Sequence, residues 1–199
     1  MKLSLSVRIA EAPCKTRLTV PFRDLVQLAA EQGYRAVCMR ASAGGVQTPL
    51  SELAAMRAEV EQAGLVVSMV TADSDVPLNN EHGPDSLRNI VPTLDVAQAL
   101  GSDLIRVCLK TEADVEHAQR AADLAADRGI RLAHQCHTTT LFEEVEPSIA
   151  WLKRINRRNF GLIYEPINLL ICGQSYGLAT LRKFAPYLMN VYVQNHRLD

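Results

Sequence analysis

The chain has no C-x-x-C pair, no apolar run long enough to cross a bilayer, and no Lys/Arg cluster interleaved with aromatics. Each absence closes a class of function. Its five cysteines (Cys14, Cys38, Cys108, Cys136, Cys172) lie far apart, and three sit inside apolar strand-like runs. Free Cys there behaves as a small hydrophobe, so reduced thiols are expected rather than a disulfide framework. The opening MKLSLSVRIAEAPCK is interrupted by Arg8 too soon for a signal peptide. A cytoplasmic protein with no membrane partner is therefore expected. With a formal net charge of -1 and a pI near 6.5, the electrostatic footprint of a nucleic-acid binder is missing. Neither G-x-G-x-x-G nor G-x-x-x-x-G-K-[ST] occurs, so a dinucleotide site and a P-loop lack support.

What is present is rhythm. Across 199 residues of 48% hydrophobic content, helix-type periodicity ends five times at a Gly or Asn and passes into a short apolar strand that stops at polar residues. The junctions read GYRAVCMR (33 to 40), GLVVSMVTAD (64 to 73), GSDLIRVCLK (101 to 110), GIRLAHQCH (129 to 137) and NFGLIYEPIN (159 to 168). Helix, cap, strand and polar exit make a βα repeat. KLSLSVRI (2 to 9) adds a strand before the first helix and MNVYVQNHR (189 to 197) one after the last. Seven strands without a Gly-rich first turn predict an α/β fold of the (β/α)8 TIM-barrel type, a single domain over 1–199. A full barrel needs roughly 250 residues and eight strands, so truncation before the eighth strand is expected, with open edges at the first and seventh.

The helices predicted from apolar spacing are FRDLVQLAAEQ, SELAAMRAEVEQA capped by Ser51, PDSLRNIVPTLDVAQAL bent or divided at Pro92, EADVEHAQRAADLAADR, PSIAWLKRI and SYGLATLRKFAPYL. The Ala-Gly-Gly after the second strand is expected to be a flexible turn. Long connections after the second, third, fifth and sixth strands are expected to shape a binding mouth.

In such folds the chemistry sits at the carboxyl ends of the strands. The exits gather Arg8, Arg40, Thr71 with Asp73, Lys110, Gln135 with His137, Glu165 with Asn168, and Gln194, His196 and Arg197. In LAHQCH, strand alternation sends Ala133, Gln135 and His137 to one face and Leu132, His134 and Cys136 to the other. The first set faces the barrel. His134 then belongs to the helix layer, as partner for a helix terminus, and Cys136 cannot pair with His137 as nucleophile and base. Glu165 is the sharpest candidate, because Pro166 holds it extended at the rim. If the mouth is partly dry, its pKa rises toward working pH, as a base beside a carbonyl requires. Lys110 suits an anionic oxygen, Arg197 offers a planar fork, and Asn168 and Gln194 match sugar hydroxyls.

At these residues the chain resembles the xylose isomerase-like barrels, the sugar phosphate isomerase/epimerase superfamily. The likeness spans essentially the whole chain and is carried by FRDLVQLAAEQGYRAVCMR, AQALGSDLIRVCLK, RGIRLAHQCH, NFGLIYEPIN and VYVQNHRLD. It implies a barrel in which carboxylates and His at the ends of strands five to eight hold one divalent metal (Mn, Mg, Co or Zn) that polarises a hydroxy-carbonyl substrate. This sequence departs from that pattern. The family's E-x-H reads Gln135-Cys136-His137, its D-x-x-H reads Glu165-Pro166-Ile167-Asn168, its seventh-strand His falls near Val191, and its E-x-x-R reads Gln194-Asn195-His196-Arg197. Glu165 and Gln135 stand at ligand positions, and His196 becomes a nitrogen ligand if the local register slips by a residue or two; hard cations prefer anionic oxygen to a neutral amide.

The expected function is thus an isomerase or epimerase acting on a sugar, sugar phosphate or polyol. Glu165 moves a proton, His137 and Lys110 stabilise the enediolate, and Gln135, Asn168, Gln194, Arg197, Arg8 and Arg40 position the substrate. A lyase or dehydratase would use the same first step. The alternative is a non-catalytic sugar-binding or regulatory protein on the same barrel. Abasic-site DNA cleavage would need several metals and a basic face, and the sequence offers neither. A small carbohydrate is the expected partner, and the open edges suggest a homodimer.

Overall fold

The computed structural model describes residues 2–194. Seven parallel strands run in sequential order: β1 (Ser4–Ser6), β2 (Ala36–Arg40), β3 (Val66–Thr71), β4 (Leu104–Val107), β5 (Arg131–Gln135), β6 (Phe160–Tyr164) and β7 (Leu188–Val191). Between them lie α1 (Phe22–Glu31), α2 (Leu50–Gln62), α3 (Asp75–Leu78), α4 (Asp85–Arg88), α5 (Val91–Leu100), α6 (Asp114–Ala126), α7 (Val145–Ile155), α8 (Pro166–Ile171) and α9 (Leu178–Phe184). This is an incomplete α/β TIM barrel, with β1 and β7 at the two edges of the sheet. The sheet curls far enough for the Tyr192 hydroxyl, just past β7, to reach Cys38 Sγ on β2 at 3.3 Å.

Strand alternation builds two cores. Cys38, Met69, Leu104, Ala133 and Ile163 pack together inside the curl against Met189 and Tyr192. Their neighbours Val37, Met39, Val70, Ile105, Leu132 and Leu162 face the helices and merge with Leu53, Leu94, Ala121 and Ile155 in the main core. Burying these apolar faces is the dominant favourable term in the fold. Ala118, Ala121, Ala122 and Ala125 on α6 are all buried, and their small side chains let that helix lie close to the sheet.

Four of the five junctions turn on a left-handed glycine, with φ of +78° at Gly33, +74° at Gly64, +70° at Gly101 and +67° at Gly129. At the fifth junction the preceding helix, α7, ends instead at Asn156, also left-handed. Asn159, three residues on, donates its amide to Ala122 O and Ile130 O and so ties α6 to the strand entry.

Several local expectations are corrected. Ser51 lies inside α2, which begins after Pro49 and has no side-chain cap. The segment around Pro92 does divide: α4 ends at Arg88 and α5 takes Pro92 into its first turn, where the missing N–H costs nothing. Pro166 likewise starts a helix, α8, within what was expected to be a long connection after the sixth strand. The Ala-Gly-Gly turn is packed rather than loose. Val46 N donates to Ala72 O at 2.9 Å, and a Cβ on Gly45 would come within 2.5 Å of that same oxygen. No helix among the described residues is long and apolar enough to cross a membrane.

Candidate active site

The strand that carries Glu165 is buried along its whole length, and Pro166 leaves Glu165 extended (φ −133°, ψ 100°) as the residue before α8. Its carboxylate is therefore held at the strand end with no exposure at all. Three neutral amides surround it. Gln135 Nε2, from the neighbouring β5, and Asn168 Nδ2, one turn along α8, both donate to Oε2, the latter at 2.6 Å. Gln194 Nε2 donates to Oε1, and Gln194 Oε1 in turn accepts from Arg8 Nη1 at 3.0 Å. Asn168 also donates to Cys136 O at 2.9 Å, which fixes the amide against β5. Among the described residues no cation pairs with Glu165. Burial outweighs the attraction of Arg106 and Arg8 and the Asn168 hydrogen bond, and pushes its pKa up to about 7.

Two residues past the end of β5, His137 presents Nδ1 to Asn79 Nδ2 at 3.1 Å and to Thr138 O at 3.0 Å. Burial lowers its pKa, so the ring is neutral at working pH. When Nδ1 accepts from Asn79, the proton sits on Nε2, which is then a donor for a substrate oxygen. Lys110 is placed differently from expectation. Its ammonium donates to Thr139 O at 3.1 Å, Asn79 O at 3.4 Å and Thr139 Oγ1 at 3.5 Å, so its three N–H directions bind the loops after β3 and β5 together. Arg40 is also engaged: its Nε donates to Glu11 Oε1 at 2.7 Å deep in the structure. His196 and Arg197 lie outside the described residues.

His134 does face the helix layer, but its partner is not a helix terminus. Its ring stacks on Phe142 at 4.2 Å, and Nδ1 lies 2.6 Å from Gln135 O. Full burial drops its pKa to about 3. Cys136 is buried on the same face, and burial raises its thiol to about 12, far from a reactive thiolate.

Two residues escaped the sequence reading. Glu11 lies in the loop after β1 and carries no periodic signal. Arg106 did carry one: a charge in the middle of the apolar strand LIRV has to point somewhere unusual. It points into the barrel beside Arg40, Glu165 and Tyr192, with the residue only 7% exposed.

The donor set does not fit a resident divalent metal. One carboxylate is surrounded by amides that turn their N–H groups, not their carbonyls, toward it. No group of three His, Cys, Asp or Glu among the described residues converges as a metal site would.

Residues 26–197 match the family described as xylose isomerase-like TIM barrel. No curated protein matches the sequence. Several solved structures share the fold. A probable 3-DHS dehydratase from Bacillus anthracis superposes with a TM-score of 0.76 at 14% identity, over 96% of this chain and 72% of that one. A D-psicose 3-epimerase solved in the presence of D-fructose gives 0.75 at 17% identity, over 96% and 72%. A xylose isomerase-like TIM barrel protein from Mycobacterium smegmatis in complex with magnesium gives 0.75 at 14% identity, over 98% and 74%.

Proposed function

This chain belongs to the xylose isomerase-like TIM barrel family, and we propose that it moves a proton beside the carbonyl of a sugar, sugar phosphate or polyol, as an isomerase or epimerase, without a resident metal. One observation carries the reading. A carboxylate is buried at the end of a central strand, where neutral amides hold both oxygens and no cation among the described residues pairs with it. A group held that way can give up and regain charge near neutral pH, which is what a general base needs.

In the proposed reaction Glu165 takes the proton from the carbon next to the carbonyl. The bonding pair moves into the C–C bond and the carbonyl electrons onto oxygen, leaving an enediolate. In the tautomer in which Nδ1 accepts from Asn79, the Nε2–H of His137 stabilises that oxygen, and Gln135, Asn168 and Gln194 hold the carboxylate and the substrate hydroxyls in register. Return of the proton from Glu165 to the neighbouring carbon, with a proton passing from the original carbon's hydroxyl to the former carbonyl oxygen, gives an aldose–ketose isomer. An epimer requires instead a second acid, such as water, to protonate the original carbon from its opposite face. Loss of a β-hydroxyl instead would make a dehydratase, the activity named for the Bacillus anthracis neighbour. Lys110 acts here through the loops it binds rather than by contact with the substrate.

The complete enclosure of Glu165 favours a second reading, a sugar-binding barrel without turnover. Exchange of substrate C–H for deuterium in heavy water, followed by NMR across a panel of ketoses and their phosphates, separates the two. Exchange by the wild type that disappears in Glu165→Gln supports the enzyme. Binding without exchange supports the carrier, and exchange that survives in Glu165→Gln removes Glu165 as the base.

A further inference from the structure

Arg106 is a charged side chain taken into the interior of the barrel. It is 7% exposed, and among the described residues its Nε has no hydrogen-bond partner and no carboxylate lies within ion-pair distance of it. A guanidinium cannot escape burial by losing its proton at any ordinary pH. A buried charge without a partner is tolerated where something else supplies the partner.

The register shows what surrounds it. Arg40 is paired with Thr71, and Val70 with Ile105, so Arg40, Thr71 and Arg106 lie side by side on three consecutive strands. Arg106 is level with Ala133, and Gln135 is the next residue on that face of β5, roughly 7 Å nearer the mouth. Thr71 Oγ1 and Gln135 Oε1 are also buried and unpartnered among the described residues. A cation, a hydroxyl and an amide carbonyl therefore stand in a short ascending row that ends at Glu165. Arg40 in that row is already paired with Glu11, whereas Arg106 is attracted by Glu165 but makes no ion pair among the described residues.

We propose that Arg106 and Thr71 form a subsite for an anionic group of the substrate, a carboxylate or a phosphate, while Gln135 Oε1 accepts from an adjacent hydroxyl. The substrate is then an acidic sugar derivative and not a neutral sugar. This rests on the proton-transfer reading of the same mouth. It names the end of the substrate that lies deepest and leaves the reacting carbon near Glu165.

The test is thermal unfolding of the full chain against D-fructose, gluconate, glucose 6-phosphate, acetate and inorganic phosphate at equal concentration. An acidic sugar derivative should raise the Tm of the wild type more than D-fructose does, and the stronger of gluconate and glucose 6-phosphate identifies the group. Arg106→Met should raise the Tm of the free protein, because it removes a buried charge that has no ion pair among the described residues, and should weaken the acidic ligand at least tenfold. Arg106→Lys should retain part of that binding. The proposal is overturned if D-fructose matches both acidic sugars, if acetate or phosphate alone gives the whole effect, or if Arg106→Met lowers the Tm or keeps the response. Deuterium exchange of the substrate reports on the proton-transfer reading and the ligand-induced Tm shift on the anionic subsite, so the failure of one reading does not imitate the failure of the other.

Discussion

Arg40 Nε and Glu11 Oε1 meet at 2.7 Å with both side chains 4% exposed, joining β2 to the loop that follows β1. Ser42 Oγ adds a 2.6 Å hydrogen bond to the same oxygen, while Glu11 Oε2 has no described partner. Both charges have left water, so removing one strands the other. Either Arg40→Met or Glu11→Gln should destabilise the protein by about 3 kcal/mol or more, and the double variant Arg40→Met/Glu11→Leu should recover much of that. Urea unfolding of the three variants measures it. Single-variant losses under about 1 kcal/mol would mean that solvent or another group already shields the pair.

The pKa of Glu165 sets two pH profiles of opposite usefulness. Its folded pKa of about 7 lies above the ordinary value of 4.5, so the unfolded chain ionises first. Below pH 4.5 both states are protonated and nothing is lost. As pH rises from 4.5 to 7 the folded state loses stability relative to the unfolded, by of order 3 kcal/mol in total. Activity should run the other way and climb through an apparent pKa near 7 as the base forms. Glu165→Gln should flatten the stability curve in that window. A wild-type curve already flat there would show that the carboxylate is ionised throughout.

Close approach between β6 and β7 gives a purely structural prediction. A Cβ on Gly161 would sit 2.4 Å from Tyr187 O and 2.8 Å from Met189 Cγ. The first of these is backbone and has little room to yield. Gly161→Ala should cost about 1–3 kcal/mol and pull β7 away from β6, which removes Gln194 from the Glu165 carboxylate. Loss of amide protection in β7 by hydrogen exchange, beyond the change in β2 and β3, would confirm the local origin. A neutral effect would mean that the β7 entry shifts freely.

How far the sequence foretold all this depends on the period of the signal. The strands were legible because buried parallel strands are continuous apolar runs ended by glycine-capped helices, and the inward set Ala133, Gln135 and His137 followed from alternation alone. The conformation of Glu165 followed from Pro166. Contacts between residues far apart in the chain were not legible. Nothing local in EAPCK says that Glu11 reaches Arg40, and nothing in TTTLFEEVE says that Thr139 takes up the Lys110 ammonium. The same limit made Ser51 look like a cap, since a cap is defined by where the chain before it enters, and Pro49 had already set that entry.

Metal dependence is where the family pattern and this chain part most sharply. At the positions where relatives of this fold would carry anionic or imidazole ligands, Gln135 and Asn168 point N–H donors at the only carboxylate among the described residues of the mouth that they touch. A divalent ion seated on Glu165 would face those donors head on, and turning both amides over would cost Asn168 its bond to Cys136 O. Chelation should therefore leave the Tm within about 1 °C, and elemental analysis of the purified protein should find well under one equivalent of Mn, Mg, Co or Zn. Gln135→Glu, which places a second carboxylate beside Glu165, should create Mn binding detectable by calorimetry and, without the ion, raise the pKa of the pair further through like-charge repulsion. One tightly held equivalent in the wild type, lost in Glu165→Ala, would show that the amides do turn over, and would return the site to the metal-assisted chemistry of its family.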